Sequence, residues 1–308
     1  MNRSGPPGDS IGRVRPHGAR VAAAVSATEE RRKLAITFDT EWWGRAHLVA
    51  GVERHRGLAR DVAKVHDLIA LLDRHEAKAT FFVVSEDFQG ELLETLIEAG
   101  HEIASHTCSH PLFTDLDRAA WRREMRESRE ALEQATGVPV AGFRCPSWSV
   151  PHARHEEFLD LLLEEGYEYD SSFCQFATKL YGDKAFPTEP FVYRSQLVEI
   201  PLPRIGFPRW PWVGGFYFRV MPGVVLKRYI SRERPAFLYF QPWEFYGQPD
   251  ARGLSLIDSF ITRYGRKNNE RKLDRLLAGL GSQYDFVTMK SVADQLRITA
   301  KQETGQQP

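Results

Sequence analysis

Two hydrophobic rhythms alternate along the chain. Lys33–Asp39, "KLAITFD", is an apolar, β-branched run that turns polar at its end, the pattern of a buried strand with Asp39 at its C-terminal tip. Next, Val62, Val65, Leu68, Ile69 and Leu72 fall on one face of a helix within "ARDVAKVHDLIALLDRHE". "KATFFVVSE" reads as a second strand, "GELLETLIEAG" as a second helix closed by Gly100, and "HEIASH" as a third strand. A charged amphipathic helix over Asp117 to about Thr136, the extended segment "VAGFRCPSW", the helix "HEEFLDLLLEEG" and the segment "YEYDSSF" continue the alternation. Regular strand–helix repetition predicts an α/β domain whose parallel sheet closes, or nearly closes, into a barrel.

The rhythm breaks from about Ala177 to Gly215, where Pro, Gly and aromatic residues accumulate in stretches such as "FPRWPWVGGFYF". This reads as a long irregular insertion, and its aromatics favour a packed, functional loop. "PAFLYFQPWE" restores a strand. A helix from about Asn268 to Leu280, the strand "YDFVTM" and the helix "SVADQLR" close the domain. The expected organisation is a disordered tail over 1–30, one domain over 31–298 and a frayed tail over 299–308. Chemistry in such barrels collects at the C-terminal strand ends. Asp39, Glu41, His106, Arg144, Asp170 and Gln241 all fall there.

Composition narrows the function classes. The 308 residues are 42% hydrophobic and 12% aromatic, enough for a substantial core, and Lys plus Arg balance Asp plus Glu at 41 each. A chain without net charge has no global field to draw nucleic acid or an anionic membrane, so no nucleic-acid partner is expected. No apolar run approaches the roughly 20 residues needed to span a bilayer. "RVAAAVSA" resembles a signal peptide only superficially, its apolar part being at or below the short end of such regions. Three cysteines, Cys108, Cys145 and Cys174, do not form a disulfide framework, so a reducing, cytoplasmic setting is expected. Oligomeric state is not readable.

Candidate chemistry centres on "HTCSHP". His106 and His110 are four residues apart directly after a strand, and Pro111 prevents a long helix, so the pair sits on a strand-end loop. By itself such a pair is as easily two surface or capping histidines as two ligands. Asp39 and Glu41 change the balance: spaced i and i+2, they should point to one face of the first strand tip. Buried carboxylates need a cation, and two imidazoles with one carboxylate make an open site for a zinc-like ion. The other carboxylate is then free to act as general base, which points to metal-assisted hydrolysis. Cys108 between the histidines is better read as an inert thiol, since i+2 spacing turns it away from them.

The motifs "TFD", "HTCSHP" and "RCPSW" resemble those of the polysaccharide deacetylases, the NodB-homology carbohydrate esterases. "GFRCPSWSV", "EEGYEYDSSF", "FLYFQPWEF" and "VGGFYFRVMP" are similar to the exopolysaccharide-locus branch of that family. The resemblance covers about Lys33 to Trp243. It implies a distorted (β/α) barrel of about seven parallel strands and hydrolysis of the N-acetyl group of an amino sugar in a polysaccharide or its glycan precursor. It also implies a divalent ion, with zinc expected. Residue by residue, it implies Asp39 as the catalytic base, His106 and His110 as metal ligands, and Arg144 as the partner that orients the base. Asp170 is implied to steady Arg144, the Ser147 backbone N–H to face the oxyanion, and Trp148 to wall the pocket. Where the family commonly carries a second aspartate, this chain has Thr40, and Glu41 one residue later is the better third ligand. Trp42 is a candidate for contacting the sugar, although aromatics such as Trp42 and Trp43 are more often core or lid residues than sugar-stacking platforms.

One departure matters. The family branch carries a histidine where this chain has Gln241, and an amide cannot donate a proton as a general acid near neutral pH. Glu244 is the candidate stand-in. Two other readings follow from the same residues: a carbohydrate-binding relative with impaired catalysis, or an amidase acting on a non-sugar C–N bond.

Overall fold

A computed structural model describes residues 31–45, 58–88, 90–176, 182–203, 214–231, 236–246 and 254–303. The N-terminal tail and much of the aromatic insertion lie outside these residues. Nine strands form one curled, mostly parallel sheet. They are β1 (Arg32–Thr40), β2 (Thr80–Val83), β3 (Glu102–Ser105), β4 (Gly142–Phe143), β5 (Tyr169–Asp170), β6 (Phe191–Tyr193), β7 (Leu197–Glu199), β8 (Ala236–Phe240) and β9 (Tyr284–Val287). The order is β6-β7-β5-β4-β3-β2-β1-β8, with β9 also paired to β1. Among the described strands only β6 runs antiparallel, against β7. Among the described residues no pairing joins β6 to β8, so the expected barrel is a half-barrel, open between those edges.

β1 is an interior strand, paired to β2 and β9 along one edge and to β8 along the other. Leu34 to Thr40 are all buried, and α9 packs against the strand. That is why its sequence is a continuous apolar run rather than an alternating one. Outside the sheet lie α1 (Leu58–Asp73), α2 (Glu91–Glu98), α3 (Arg118–Thr136), α4 (His155–Glu164), α5 (Gly215–Val220), α6 (Gly223–Ile230), α7 (Leu256–Arg263), α8 (Asn269–Leu280) and α9 (Met289–Glu303). α9 continues past the boundary expected at 298.

α3 shows how a helix positions the chemistry. Asp117 caps its start by accepting the Ala120 N–H at 2.8 Å, and Gly137 ends it in the left-handed conformation. Trp121, Met125, Ser128 and Leu132 are buried along one stripe. Within that stripe the Ser128 and Ser105 hydroxyls meet at 2.8 Å, which pins the helix to the last residue of β3, immediately before His106.

The sequence reading missed a hairpin in the insertion. β6 and β7 are joined through Arg194, Ser195 and Gln196: the Gln196 N–H closes the turn on the Tyr193 carbonyl at 3.0 Å, and the two central residues, Arg194 and Ser195, have positive φ (46° and 60°). Two-residue hairpin turns favour that geometry, but Asn-Gly or Asp-Gly normally announce it, and Arg-Ser does not. α5, α6 and α7 were missed as well, being eight residues or fewer, and α5 and α6 lack a side-chain N-cap. β4 and β5 are only two residues each, so the motifs around them are mostly turn, not strand.

Gly214 bridges to Tyr239 of β8. A Cβ there would sit 1.8 Å from the Tyr239 carbonyl oxygen, so only glycine permits this approach. Gly214→Ala should therefore destabilise the protein by about 1–3 kcal/mol through overpacking, read as a lower urea midpoint at unchanged m-value.

Candidate metal centre and active site

Parallel strands deliver their C-terminal ends to one rim of the sheet, and the chemistry-bearing residues sit on that rim. Asp39 is the penultimate residue of β1. His106, Arg144 and Gln241 each immediately follow β3, β4 and β8, and Asp170 ends β5. Glu41 reaches the same place by a tight turn rather than by extending β1: its N–H donates to the Asp39 carbonyl at 3.1 Å.

Glu41, His106 and His110 converge. Their ligand atoms lie within 4.8 Å of one another, all three residues are buried, and His110 Nε2 stands 2.6 Å from Glu41 Oε2. The imidazole rings of His106 and His110 are 5.0 Å apart. His106 Nδ1 is 2.8 Å from the Arg144 carbonyl oxygen, which selects the Nδ1–H tautomer and turns Nε2 toward the cluster. His110 and Thr107 both adopt positive φ (65° and 71°), and the His110 N–H donates to the Thr107 hydroxyl at 3.0 Å. This backbone kink, not helical i,i+4 spacing, makes the two histidines meet.

Burial holds both imidazoles neutral: His106 is pushed down to about 4, opposed by the nearby Asp39 carboxylate, and His110 to about 3. Two neutral nitrogens and one carboxylate, spread over about twice a bond of roughly 2.0–2.2 Å, fit a zinc-like divalent ion. Cys108 is not part of the cluster. Its thiol lies 3.9 Å from Glu86 Oε1, and burial raises its pKa.

Glu41 is fixed from its other oxygen. Gln241 Nε2 donates to Oε1 at 2.5 Å, and Trp243 Nε1 lies 3.4 Å from the same atom. Gln241 is thus a support for the Glu41 carboxylate, a role its place in the motif did not announce. Glu244 is buried and engaged within the rim: Oε2 accepts the Gln241 N–H at 3.1 Å, and Oε1 pairs with Arg219 at 3.4 Å. Burial raises its pKa against the pull of Arg219 and Arg266. Both carboxylate oxygens being committed, Glu244 acts first as a strut for the Gln241 turn.

Asp39 and Arg144 form a buried ion pair, with Arg144 Nη1 donating to Asp39 Oδ1 at 2.5 Å and to the Thr37 hydroxyl at 3.1 Å. The guanidinium lies over the Phe82 ring at 3.9 Å. Asp170 does not hold Arg144, contrary to the expectation. Arg144 Nη2 donates instead to the Ser171 hydroxyl at 3.2 Å, while Asp170 accepts from the Ser172 hydroxyl and N–H. The reason is geometric: β5 ends at Asp170, and the next residue reaches the arginine.

Ser147 and Trp148 have φ of 54° and 45°, so the turn after Arg144 is strained, as turns at functional sites often are. Trp148 is tied down: its Nε1 donates to the Ser171 carbonyl at 3.0 Å, and its ring packs edge-on against Tyr239 at 4.7 Å. Trp42 is a core residue, only 6% exposed, and so is not a free stacking platform. Trp43 instead pairs edge-on with Trp243 at 4.7 Å, beneath the Arg266 guanidinium.

Arg45, absent from the sequence reading, clamps three strand-end loops. It binds both Asp87 oxygens at 2.8–3.1 Å and the Ser109 carbonyl at 2.5 Å. No motif spacing marks it.

Two measurements check this geometry. Arg144→Met strands a buried Asp39 carboxylate and should cost about 3–5 kcal/mol in chemical unfolding. The metal-free protein should also lose stability as pH falls from 6.5 toward 4. Buried His106 and His110 resist a proton that the unfolded chain accepts near 6.5, so the unfolded state gains protons across that window. Urea midpoints that stay level from pH 7.5 to 4.5 would contradict it.

The chain is similar to known proteins in sequence and in fold. Residues 26–168 match the family described as polysaccharide deacetylase, and residues 171–294 match a domain of unknown function (DUF3473). A chitooligosaccharide deacetylase of Rhizobium leguminosarum bv. trifolii is 33% identical over 89 residues, covering 28% of this chain and 37% of the relative. A peptidoglycan deacetylase of Helicobacter pylori is 26% identical over 119 residues, covering 38% and 39%. The alignments thus span well under half of those relatives' own length. In fold, the chain resembles a crystal structure classed as a polysaccharide deacetylase from Mycobacterium smegmatis, with a TM-score of 0.61 at 21% identity over 94% of this chain and 97% of that one. It also resembles a CE4-family pseudoenzyme from Bacillus anthracis, with a TM-score of 0.50 at 14% identity over 87% and 67%. Residues 26–168, just under half of the chain, thus resemble the polysaccharide deacetylases in sequence, and the chain as a whole resembles a structure of that class in fold.

Proposed function

We propose that this protein is a metal-dependent N-deacetylase acting on an amino sugar of a surface glycan or of its lipid- or nucleotide-linked precursor. The observation that carries the reading is the buried Glu41–His106–His110 cluster, with the Asp39–Arg144 ion pair beside it. The named activities of the relatives support deacetylation. The motif resemblance to the exopolysaccharide-locus branch supports a surface-glycan substrate, and the expected cytoplasmic setting favours a precursor over finished polymer.

Glu41, His106 and His110 would hold the ion, with zinc favoured by two imidazoles and a carboxylate; when bound it supplies Lewis acidity for an acyl carbonyl and acidifies water. Asp39 is the base that takes a proton from the attacking water. Arg144 aims that carboxylate through its Nη1 hydrogen bond, a guanidinium being a donor that cannot also act as an acceptor. The strained turn at Ser147 presents a backbone N–H where negative charge develops on the acyl oxygen. Gln241 holds Glu41 and cannot protonate the departing amine, so that proton must come from water or from Glu244, whose burial favours its protonated form.

The same Gln241 favours a second reading, a glycan-binding family member with impaired turnover. A missing general acid typically costs about 10²–10⁴-fold in rate. Gln241→His separates the two. A gain approaching that factor marks the natural chain as impaired, and an unchanged rate shows that another group supplies the proton.

Acetate release from N-acetylated amino sugars should depend on divalent metal and vanish in Asp39→Asn, and His106→Ala or His110→Ala should abolish bound metal in elemental analysis. Full activity in Asp39→Asn, or unaltered metal content in both histidine variants, would overturn the assignment.

A further inference from the structure

A second buried acidic group lies apart from the metal-ligand cluster. Asp170 of β5 and Glu199 of β7 are register partners on adjacent parallel strands, and both are fully buried. Asp170 accepts the Ser172 hydroxyl at 2.5 Å and the Ser172 N–H at 3.2 Å, while Glu199 Oε1 accepts the Phe173 N–H at 3.0 Å. Two carboxylates facing each other in such a place cannot both be ionised, so the pair retains a proton.

The segment Ser171–Phe173 that this pair grips is also the mount for the catalytic turn. The Ser172 hydroxyl accepts the Cys145 N–H at 2.8 Å. The Ser171 hydroxyl accepts from Arg144 Nη2, and its carbonyl from Trp148 Nε1. Each end of the turn from Arg144 to Trp148 is thus fastened to the residues that the two carboxyls hold.

Charge gives the arrangement a further consequence. Arg144 has one positive charge: its Nη1 donates to Asp39 and its Nη2 to the Ser171 hydroxyl, one residue beyond Asp170. A fully ionised Asp170 would compete for the guanidinium. We propose that Glu199 shares a proton with Asp170, and that this pair is a positioning device which locks the Arg144–Trp148 turn and reserves Arg144 for Asp39. The structural part stands on its own; the catalytic consequence rests on the deacetylase reading.

Burial, reinforced by Asp170, pushes Glu199 well above the ordinary carboxyl range. The charged or titratable groups on the neighbouring β4 side are Arg144 and the Cys145 thiol, itself pushed up to about 12 by burial. Ser171, Ser172 and Phe173 face the pair from the extension of β5. The folded pair keeps a proton that the unfolded chain releases above about 4.5, so its contribution is complete below that pH and is lost as pH climbs through the folded value.

The test compares Glu199→Gln, which can still donate to Asp170, with Glu199→Ala, which leaves Asp170 charged. In metal-loaded protein, Glu199→Ala should lower kcat about 10–100-fold, as loss of a supporting partner does, with KM and metal content unchanged. Glu199→Gln should restore kcat and remove the alkaline limb of its pH profile. Urea midpoints need no turnover: the wild-type loss of stability from pH 6 to 9 should flatten in Glu199→Gln. Equal damage from Gln and Ala, or identical alkaline stability loss in wild type and Glu199→Gln, overturns the proposal. Because the stability comparison is independent of acetate release, an inactive wild type would sink the deacetylase reading and leave the shared proton intact.

Discussion

Charge buried at the C-terminal rim of a parallel sheet is the constraint on which this structure turns. Arg144 is fully buried, and its guanidinium bonds to Asp39, Thr37 and Ser171, residues from two other strands. Taking a guanidinium and a carboxylate out of water costs several kcal/mol per ion unless the geometry is close and the remaining polar atoms are satisfied. That requirement explains why the rim is dense with short polar contacts, and why aromatic rings, Phe82 above all, close over the arginine. The sheet brings β1, β4 and β5 into register, and the ion pair then fixes how their ends face one another.

The candidate metal cluster, Glu41 with His106 and His110, uses the same edge differently. Its donors are neutral imidazoles and one carboxylate, each oriented by a partner outside the cluster. The Arg144 carbonyl sets the His106 tautomer, Thr107 fixes the His110 backbone, and Gln241 with Trp243 holds Glu41. Arg144 therefore serves both halves of the site, its side chain through Asp39 and its carbonyl through His106. Such shared supports make the site a unit, so that substitutions at one position should change the other half too. Gln241 fits this view: an amide is a good clamp for a carboxylate even though it is no acid.

The rhythm of apolar and polar positions made β1, β2, β3, β8, β9 and the larger helices legible, because long periodic segments carry a clear signal. The hairpin of β6 and β7 was not legible, since Arg194 and Ser195 adopt positive φ without the residues that usually mark it. Two-residue strands such as β4 and β5 have too little length to show any period, and only the motif around them drew attention. Trp42 illustrates a different ambiguity: a large aromatic near the chemistry could be read as core, lid or sugar contact, and its burial places it in the core.

The sequence by itself determined the class of fold and the chemical vocabulary: a parallel α/β sheet, two histidines on a strand-end loop, two acidic residues at another strand tip, and an arginine motif. Those follow from local periodicity and short spacing, which survive in one dimension. Tertiary structure alone decided the partnerships. Asp170 pairs with Glu199 rather than with Arg144, Gln241 reaches Glu41 across 200 residues of chain, and Arg45 ties three loops together. These contacts join residues far apart in sequence whose positions depend on strand order and register, quantities set by packing of the whole sheet and by no local pattern.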